Sequence, residues 1–300
     1  MKSRHVRGGV EGLIYLSLLG CAAFAVLITV SIIVILAKET FAFFADDEVS
    51  VASFLFTTEW NPLLGAEQHF GIWPLVCGTF LVTVVACSLS IPLGLITAIY
   101  LSEYAPRPLR ATLKPALEIL AGIPTVVYGF FALTVITPFL QWMHSGFDVY
   151  NAAAAGIAVG IMTLPIVTSI TEDALQAVPK SLREGAYALG GTRFDVSTKV
   201  VTPAALSGIV AACLLAIARA VGETMIVALA AGNLAQLTID PRNQIQTMTG
   251  YMVQIFLGDA SNFGIEYRSS YAVAATLFVL TFILTIIGNR VRKRFREVYE

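Results

Sequence analysis

Charge is what this sequence has least of. Of its 300 residues only 13% are Asp, Glu, Lys or Arg, about half of what an ordinary soluble domain carries. Mean hydropathy is +0.78 and 57% of residues are hydrophobic. The few charges are bunched, so long runs carry none. This excludes a soluble enzyme and a disordered scaffold. Neither sign dominates, with 19 basic against 20 acidic residues, so no bulk field draws in nucleic acid. The four cysteines, Cys21, Cys77, Cys87 and Cys213, lie in apolar runs without a C-x-x-C spacing. They read as small packing residues rather than a disulfide or metal framework. His5, His69 and His144 are isolated, so no metal site is expected. No G-x-x-x-x-G-K-[ST] stretch occurs, so the chain has no ATP site of its own.

What is present is apolar length. A helix needs about 20 apolar residues to cross the bilayer core. Six runs meet this: Leu13–Ala37, Gly71–Ser102, Ile119–Met143, Asn151–Thr171, Pro203–Ile239 (interrupted by Arg219 and Glu223) and Ser269–Asn289. Numbering the intervening segments alternately inside and outside places 15 Lys and Arg inside and 3 outside. That split orients the chain with both termini in the cytoplasm. The expected class is therefore an all-α polytopic membrane protein of six transmembrane helices. Its parts are a cytoplasmic N-terminus (1–12), a first transmembrane helix (13–37), an external loop (38–70), a core of five transmembrane helices (71–289) and a basic cytoplasmic C-terminus (290–300). The first run is about twice the length of a signal h-region and no small-x-small cleavage site follows it, which favours a retained helix.

Several spans carry Pro or Gly where a plain anchor would carry Leu. Pro92, Pro124, Gly129 and Pro165 are candidate kink or gating positions, since proline removes a backbone donor and a membrane tolerates this only where neighbours or water satisfy the freed carbonyl. Gly156 and Gly160 form a G-x-x-x-G spacing suited to close helix approach. Successive kinked spans favour a bundle with a pathway over a passive scaffold. The longest inside loop, 172–202, reads as helix–Gly–helix. Ser181 to Glu184 has the spacing of a capping box, and Gly190-Gly191 stops the helix. Thr192 to Asp195 looks like a second, weaker start, and Pro203 suits a first turn. Leu182, Ala186 and Leu189 share a face. That face fits either a partner's groove or the bundle itself, with Glu184 only capping. Arg219 and Glu223, four apart within an apolar run, fit either a structural ion pair or an anion passage. The guanidinium fork suits an oxyanion, with Glu223 compensating when none is bound, and a charge at membrane depth is costly enough to demand a reason.

Glu184-Gly185-Ala186, then Gly190, then nine residues to Val200-Val201-Thr202-Pro203, resembles the EAA loop of ABC importer permeases. It departs at Gly185, where Ala is usual, and at Thr202, where Leu is usual. Gly122-Ile123-Pro124 followed by Gly129, Arg219-Ala220-Val221-Gly222-Glu223-Thr224-Met225 with Gly232-Asn233, and Glu59-Trp60-Asn61-Pro62 with Phe70-Gly71-Ile72 and Gly78-Thr79 are similar to stretches of phosphate-specific importer permeases. Of their two kinds, PstC and PstA, the former fits better. The resemblance implies a type I ABC importer permease-like bundle transporting inorganic phosphate past Arg219 and Glu223. It makes Leu182–Leu189 a coupling helix docked on a cytoplasmic ATPase, within a coupling loop that includes Gly190 and Pro203. It also implies the partners: a homologous PstA-like permease, two copies of a PstB-like ATPase holding ATP and Mg, and an external PstS-like phosphate-binding protein. The location implied is the bacterial cytoplasmic (inner) membrane. A permease for another oxyanion or small solute fits the same motifs. A secondary anion transporter fits less well, having no use for an EAA-type loop.

Overall fold

In the computed structural model the chain is a helical bundle, described over residues 2–46, 49–63, 68–259 and 264–294. The acidic loop residues Asp47, Glu48 and Glu67 and the last basic residue, Arg296, lie outside the described residues. The elements are α1 (Lys2–Phe44), α2 (Val51–Phe56), β1 (Trp60–Asn61), β2 (His69–Phe70), α3 (Trp73–Ile99), α4 (Arg107–Ala121), α5 (Thr125–Phe131), α6 (Thr137–Met143), α7 (Ala152–Ala177), α8 (Lys180–Ala188), α9 (Arg193–Asp195), α10 (Thr202–Ala204), α11 (Leu206–Val221), α12 (Met225–Ala230), α13 (Met248–Gln254) and α14 (Ile265–Arg294). Five helical stretches are long and apolar enough to cross a membrane. A sixth is added if Arg193–Ala204 and Leu206–Val221, bent by 70° at Ala205, form one broken span.

Boundaries moved in informative ways. α1 runs to Phe44, beyond Ala37. The third span begins at Thr125 rather than Ile119, because Ile119–Ala121 finish α4, a surface helix without a buried residue. Pro124 is consequently no kink inside a span: it is the N-cap of α5, with extended backbone at ψ 136°. Pro92 and Pro165 do lie inside helices, α3 and α7. α7 continues past Thr171 to Ala177, so Glu172 is helical rather than loop. The run Pro203–Ile239 is not a single helix: α11 stops at Val221 with Gly222 as its C-cap, and the chain leaves α12 at Ala230 for a non-helical segment that reaches Thr247.

The core is α3 against α7, and small residues set the distance. A Cβ placed on Gly156 would lie 2.6 Å from the Val85 Cβ, one on Gly160 2.9 Å from the Leu89 Cδ2, and one on Gly94 2.7 Å from the Val167 Cγ1. The G-x-x-x-G spacing therefore works in packing, letting two backbones close on each other where lipid supplies no hydrophobic drive. Ala152, Ala154, Ala155 and Ala158 of α7 are fully buried in the same layer. α1 is the opposite case. No residue in its most apolar stretch is buried, and it meets the bundle near its end, where the Thr40 hydroxyl donates to the Tyr271 carbonyl at 3.1 Å.

The two ends of the bundle are built differently. At one, α2 and the two-stranded hairpin (Trp60 opposite Phe70, Asn61 opposite His69) cover an aromatic cluster. The Trp60 ring meets Tyr251 edge-on at 4.9 Å, and Phe43 meets Phe70 at 5.3 Å and Phe54 at 6.1 Å. The described part of the segment expected as an external loop is thus a folded cap. The other end carries α4, α8 and the basic last turn of α14, and ion pairs hold it.

Candidate functional site

Arg219 and Glu223 would share a helical face only if α11 continued. It does not. Gly222 ends the helix, and the turn Gly222–Thr224 carries Glu223 away from Arg219. The ion pair, one of the two readings of these residues, is absent among the described residues: the Arg219 guanidinium contacts the Met162 sulfur of α7 at 3.7 Å. Glu223 is buried at 7% exposure. Its Oε1 accepts from the Ile226 amide at 3.4 Å, so the carboxylate sits at the free amides of α12, where backbone donors and the helix dipole favour negative charge. Its carbonyl accepts from the Thr249 hydroxyl at 2.6 Å, tying the break to α13.

Arg219 is exposed, as are Leu215, Ala218 and Gly222. They recur at helical spacing and make one exposed stripe along α11 among the described residues. A helix broken beside a charge at membrane depth is the arrangement that lines cavities in transport proteins, because unpaired backbone needs water or protein around it. Gly129 seats α5 on α12 behind this break: a Cβ there would lie 2.8 Å from the Leu229 Cδ1.

α8 forms as expected but starts differently. Pro179 is its N-cap and no side chain caps it, so Ser181 and Glu184 make no capping box. The complete box is at Thr192 and Asp195, the start that looked weaker. The helix end matches expectation: Gly190, at φ +85°, donates to the Tyr187 carbonyl at 2.9 Å and Gly191 to Ala186 at 3.1 Å. This Schellman closure needs a residue that tolerates positive φ. Leu182, Glu184, Gly185 and Leu189 are exposed, Leu189 at 91%, while Ala186 turns toward the bundle. The predicted face is therefore divided. Pro203 lies in α10, just before the 70° bend.

Two features at this end escaped the sequence reading. Arg183 clamps α8 to the last turn of α7: its guanidinium donates to the Val178 and Leu175 carbonyls, both at 2.6 Å, and to Glu103 at 3.1 Å. Glu172, fully buried, pairs with Arg110 at 2.7 Å and Lys114 at 3.2 Å. Lys114 also reaches Asp173 at 2.8 Å, and this bond, followed by those to Glu172, raises its pKa above the ordinary lysine value. The available signal was an acidic residue closing an apolar run, with two basic residues four apart in the preceding inside segment.

Residues 90–297 match the family of binding-protein-dependent transport system inner membrane components, and the chain belongs to it. It is an ABC transporter permease subunit, a multi-spanning protein of the inner membrane. Within that class its relatives point one way. It is 35% identical over 257 residues to the phosphate transport system permease protein PstC of Mesorhizobium japonicum, covering 79% of this chain and 77% of that one. It is 31% identical over 253 residues to a probable PstC of Methanocaldococcus jannaschii, covering 77% and 78%. A probable ABC transporter permease, YqgH of Bacillus subtilis, is 34% identical over 267 residues, covering 89% and 86%. The resemblance to the PstC type holds over most of the chain. Among solved structures, a bacterial alginate ABC transporter chain superposes with TM-score 0.69 at 13% identity, covering 96% of each chain. A chain of the inward-facing MetNI methionine ABC transporter gives 0.56 at 19%, covering 76% of this chain and 95% of that one. Both share the fold.

Proposed function

We propose that this chain is the permease of an ATP-driven importer of inorganic phosphate, and that Arg219 meets the anion in transit. The observation that carries the reading is an Arg on a broken, uncovered helix face, unpaired with the carboxylate four residues on. The relatives' names support phosphate as the solute. A homologous PstA-like permease would face the α11 stripe and close the passage. Two PstB-like ATPases, holding the ATP and Mg, would receive α8 at the cytoplasmic side through Leu182, Glu184 and Leu189. A PstS-like binding protein would deliver phosphate to the hairpin end. Closure of the ATPases would shift α8 and rock the bundle between inward- and outward-facing states. Glu223, held at the start of α12, keeps the neighbourhood of Arg219 from becoming so positive that the anion would stay bound.

Phosphate uptake tests this, at matched membrane protein level, in Arg219→Gln, Glu223→Gln, the double variant and Arg219→Lys. Were Arg219 only a counter-ion, removing both charges would restore uptake, since the harm of a single change comes from the charge left stranded. The expected outcome is a double variant as defective as Arg219→Gln. Arg219→Lys should be impaired about tenfold, because charge without the planar fork loses the paired oxyanion bonds. Recovery in the double variant would overturn the translocation role.

A further inference from the structure

The buried carboxylate of Glu172 does something a packing residue would not need to do. It lies on the penultimate turn of α7, fully enclosed. Arg110 at 2.7 Å, Lys114 at 3.2 Å and the Gln176 amide at 2.9 Å all converge on it. An apolar pair would join α7 to α4 at less desolvation cost, so a buried ion pair is weak evidence for stability. What it adds is register. Two cations one helical turn apart, gripping one carboxylate, oblige α4 to follow α7.

The elements on either side of this grip are themselves joined. α8 is fastened to the last turn of α7 by Arg183, through the Leu175 and Val178 carbonyls. α4 ends at Gly122 and α5 starts after Pro124. Across that break the Tyr128 hydroxyl donates to the Leu120 carbonyl at 2.8 Å, so a hydrogen bond bridges the two helices. α5 in turn seats on α12 at Gly129, where a Cβ would lie 3.3 Å from the Ile226 Cα. Ile226 is the residue whose amide faces Glu223 at 3.4 Å. A continuous line of contacts therefore runs from the exposed loop helix through α4 and α5 to the break beside Arg219, with Glu172 as its buried joint, alongside the direct contact of α7 with Arg219 at Met162.

We propose that Glu172 is a positioning residue for transport: through Arg110 and Lys114 it makes α4 follow α8, so that movement of the loop helix reaches α5 and α12. This rests on the importer reading given above. Coupling carried by packed elements with two arrangements is the physical requirement, and one joint in such a line carries part of the coupling free energy.

The test uses the whole transporter, with both permeases and both ATPases in vesicles plus the binding protein. Phosphate taken up per ATP hydrolysed is measured for wild type, Glu172→Gln and Glu172→Asp. Glu172→Gln keeps the size and loses the charge. It should assemble and hydrolyse ATP, with uptake per ATP lower by about fivefold, and Glu172→Asp should recover part of the loss. Uptake and hydrolysis falling in proportion, or an unchanged ratio, would overturn the proposal. If Glu172→Gln fails to assemble, Lys114→Gln is read by the same criterion, since it leaves Arg110 on the carboxylate. A second readout needs no solute: the distance between spin labels at Ser181 on α8 and Thr112 on α4. In wild type it should stay the same with and without ATP, and in Glu172→Gln it should become ATP-dependent. A wild-type distance that changes with ATP would overturn the linkage. Wild-type vesicles that take up no phosphate would count against the phosphate reading alone, and the label distances would still decide the role of Glu172.

Discussion

The hairpin end and the basic end of this bundle solve the same problem with different chemistry. At the hairpin end, Trp60, Phe70, Phe54, Phe43 and Tyr251 bury their rings against one another. Such contacts gain most of their energy from area removed from water, with a smaller share from edge-on ring geometry. At the basic end, Arg183 and Arg110 make a few short, directional bonds to Glu103 and Glu172, and Lys114 adds its charge beside Glu172. A cap of the first kind resists any displacement. A clamp of the second kind fixes orientation while leaving little area to re-bury when it shifts, which suits a surface that passes on movement.

Three substitutions break or sharpen this contrast, beginning with the largest effect. Trp60→Ala empties the centre of the aromatic cap, where the side chain is 5% exposed. It should cost about 3–5 kcal/mol, the usual range for a buried aromatic cut to Ala, and appear as a clear fall in thermal midpoint in detergent. Arg183→Gln at the other end removes charge-assisted bonds to two carbonyls and Glu103. Its expected cost is about 1.5–3 kcal/mol. The loss should be local: limited proteolysis between residues 178 and 192 should accelerate more than the midpoint falls, because opening there need not unfold the bundle. The smallest effect belongs to Lys199→Ala. Lys199 reaches Asp195 at 2.7 Å, but its side chain is 73% exposed, and exposed pairs one turn apart contribute little. Its midpoint should match wild type with or without added salt. A Lys199 effect as large as that of Arg183 would mean that exposure does not separate the pairs at this end.

The parts of this architecture legible in the sequence were those written in local pattern. Apolar length located the spans, Gly156 and Gly160 announced the α3–α7 approach, and Gly190-Gly191 marked the end of α8. The errors came where one local signal competed with another. Ser181 to Glu184 has the spacing of a capping box, yet Pro179 had already set the backbone for a helix start. Arg219 and Glu223 pair on paper because the apolar run is unbroken. Gly222 ends the helix between them, and nothing in hydropathy records that. Ile119–Ala121 looked like membrane because they adjoin an apolar run, although Arg107, Arg110 and Lys114 make their helix amphipathic. Glu172 was missed for a different reason. Its partners lie on a helix joined to it only through α5 and α6, and no spacing rule spans that separation.

The bareness of α1 has a consequence for how the chain is made. With no buried residue, the apolar stretch of this helix draws little from the rest of the bundle while in lipid, where its backbone bonds are satisfied internally; only the helix end, at Thr40 and Phe43, is docked. It can enter the bilayer as soon as it emerges from the ribosome, before α7 exists to pack on anything. A polar replacement there, such as Leu27→Asp, would act on the yield of membrane insertion rather than on the stability of the finished bundle. α3 and α7, matched glycine to side chain, can pack only once both are in the bilayer, so their pairing belongs to a later step of assembly.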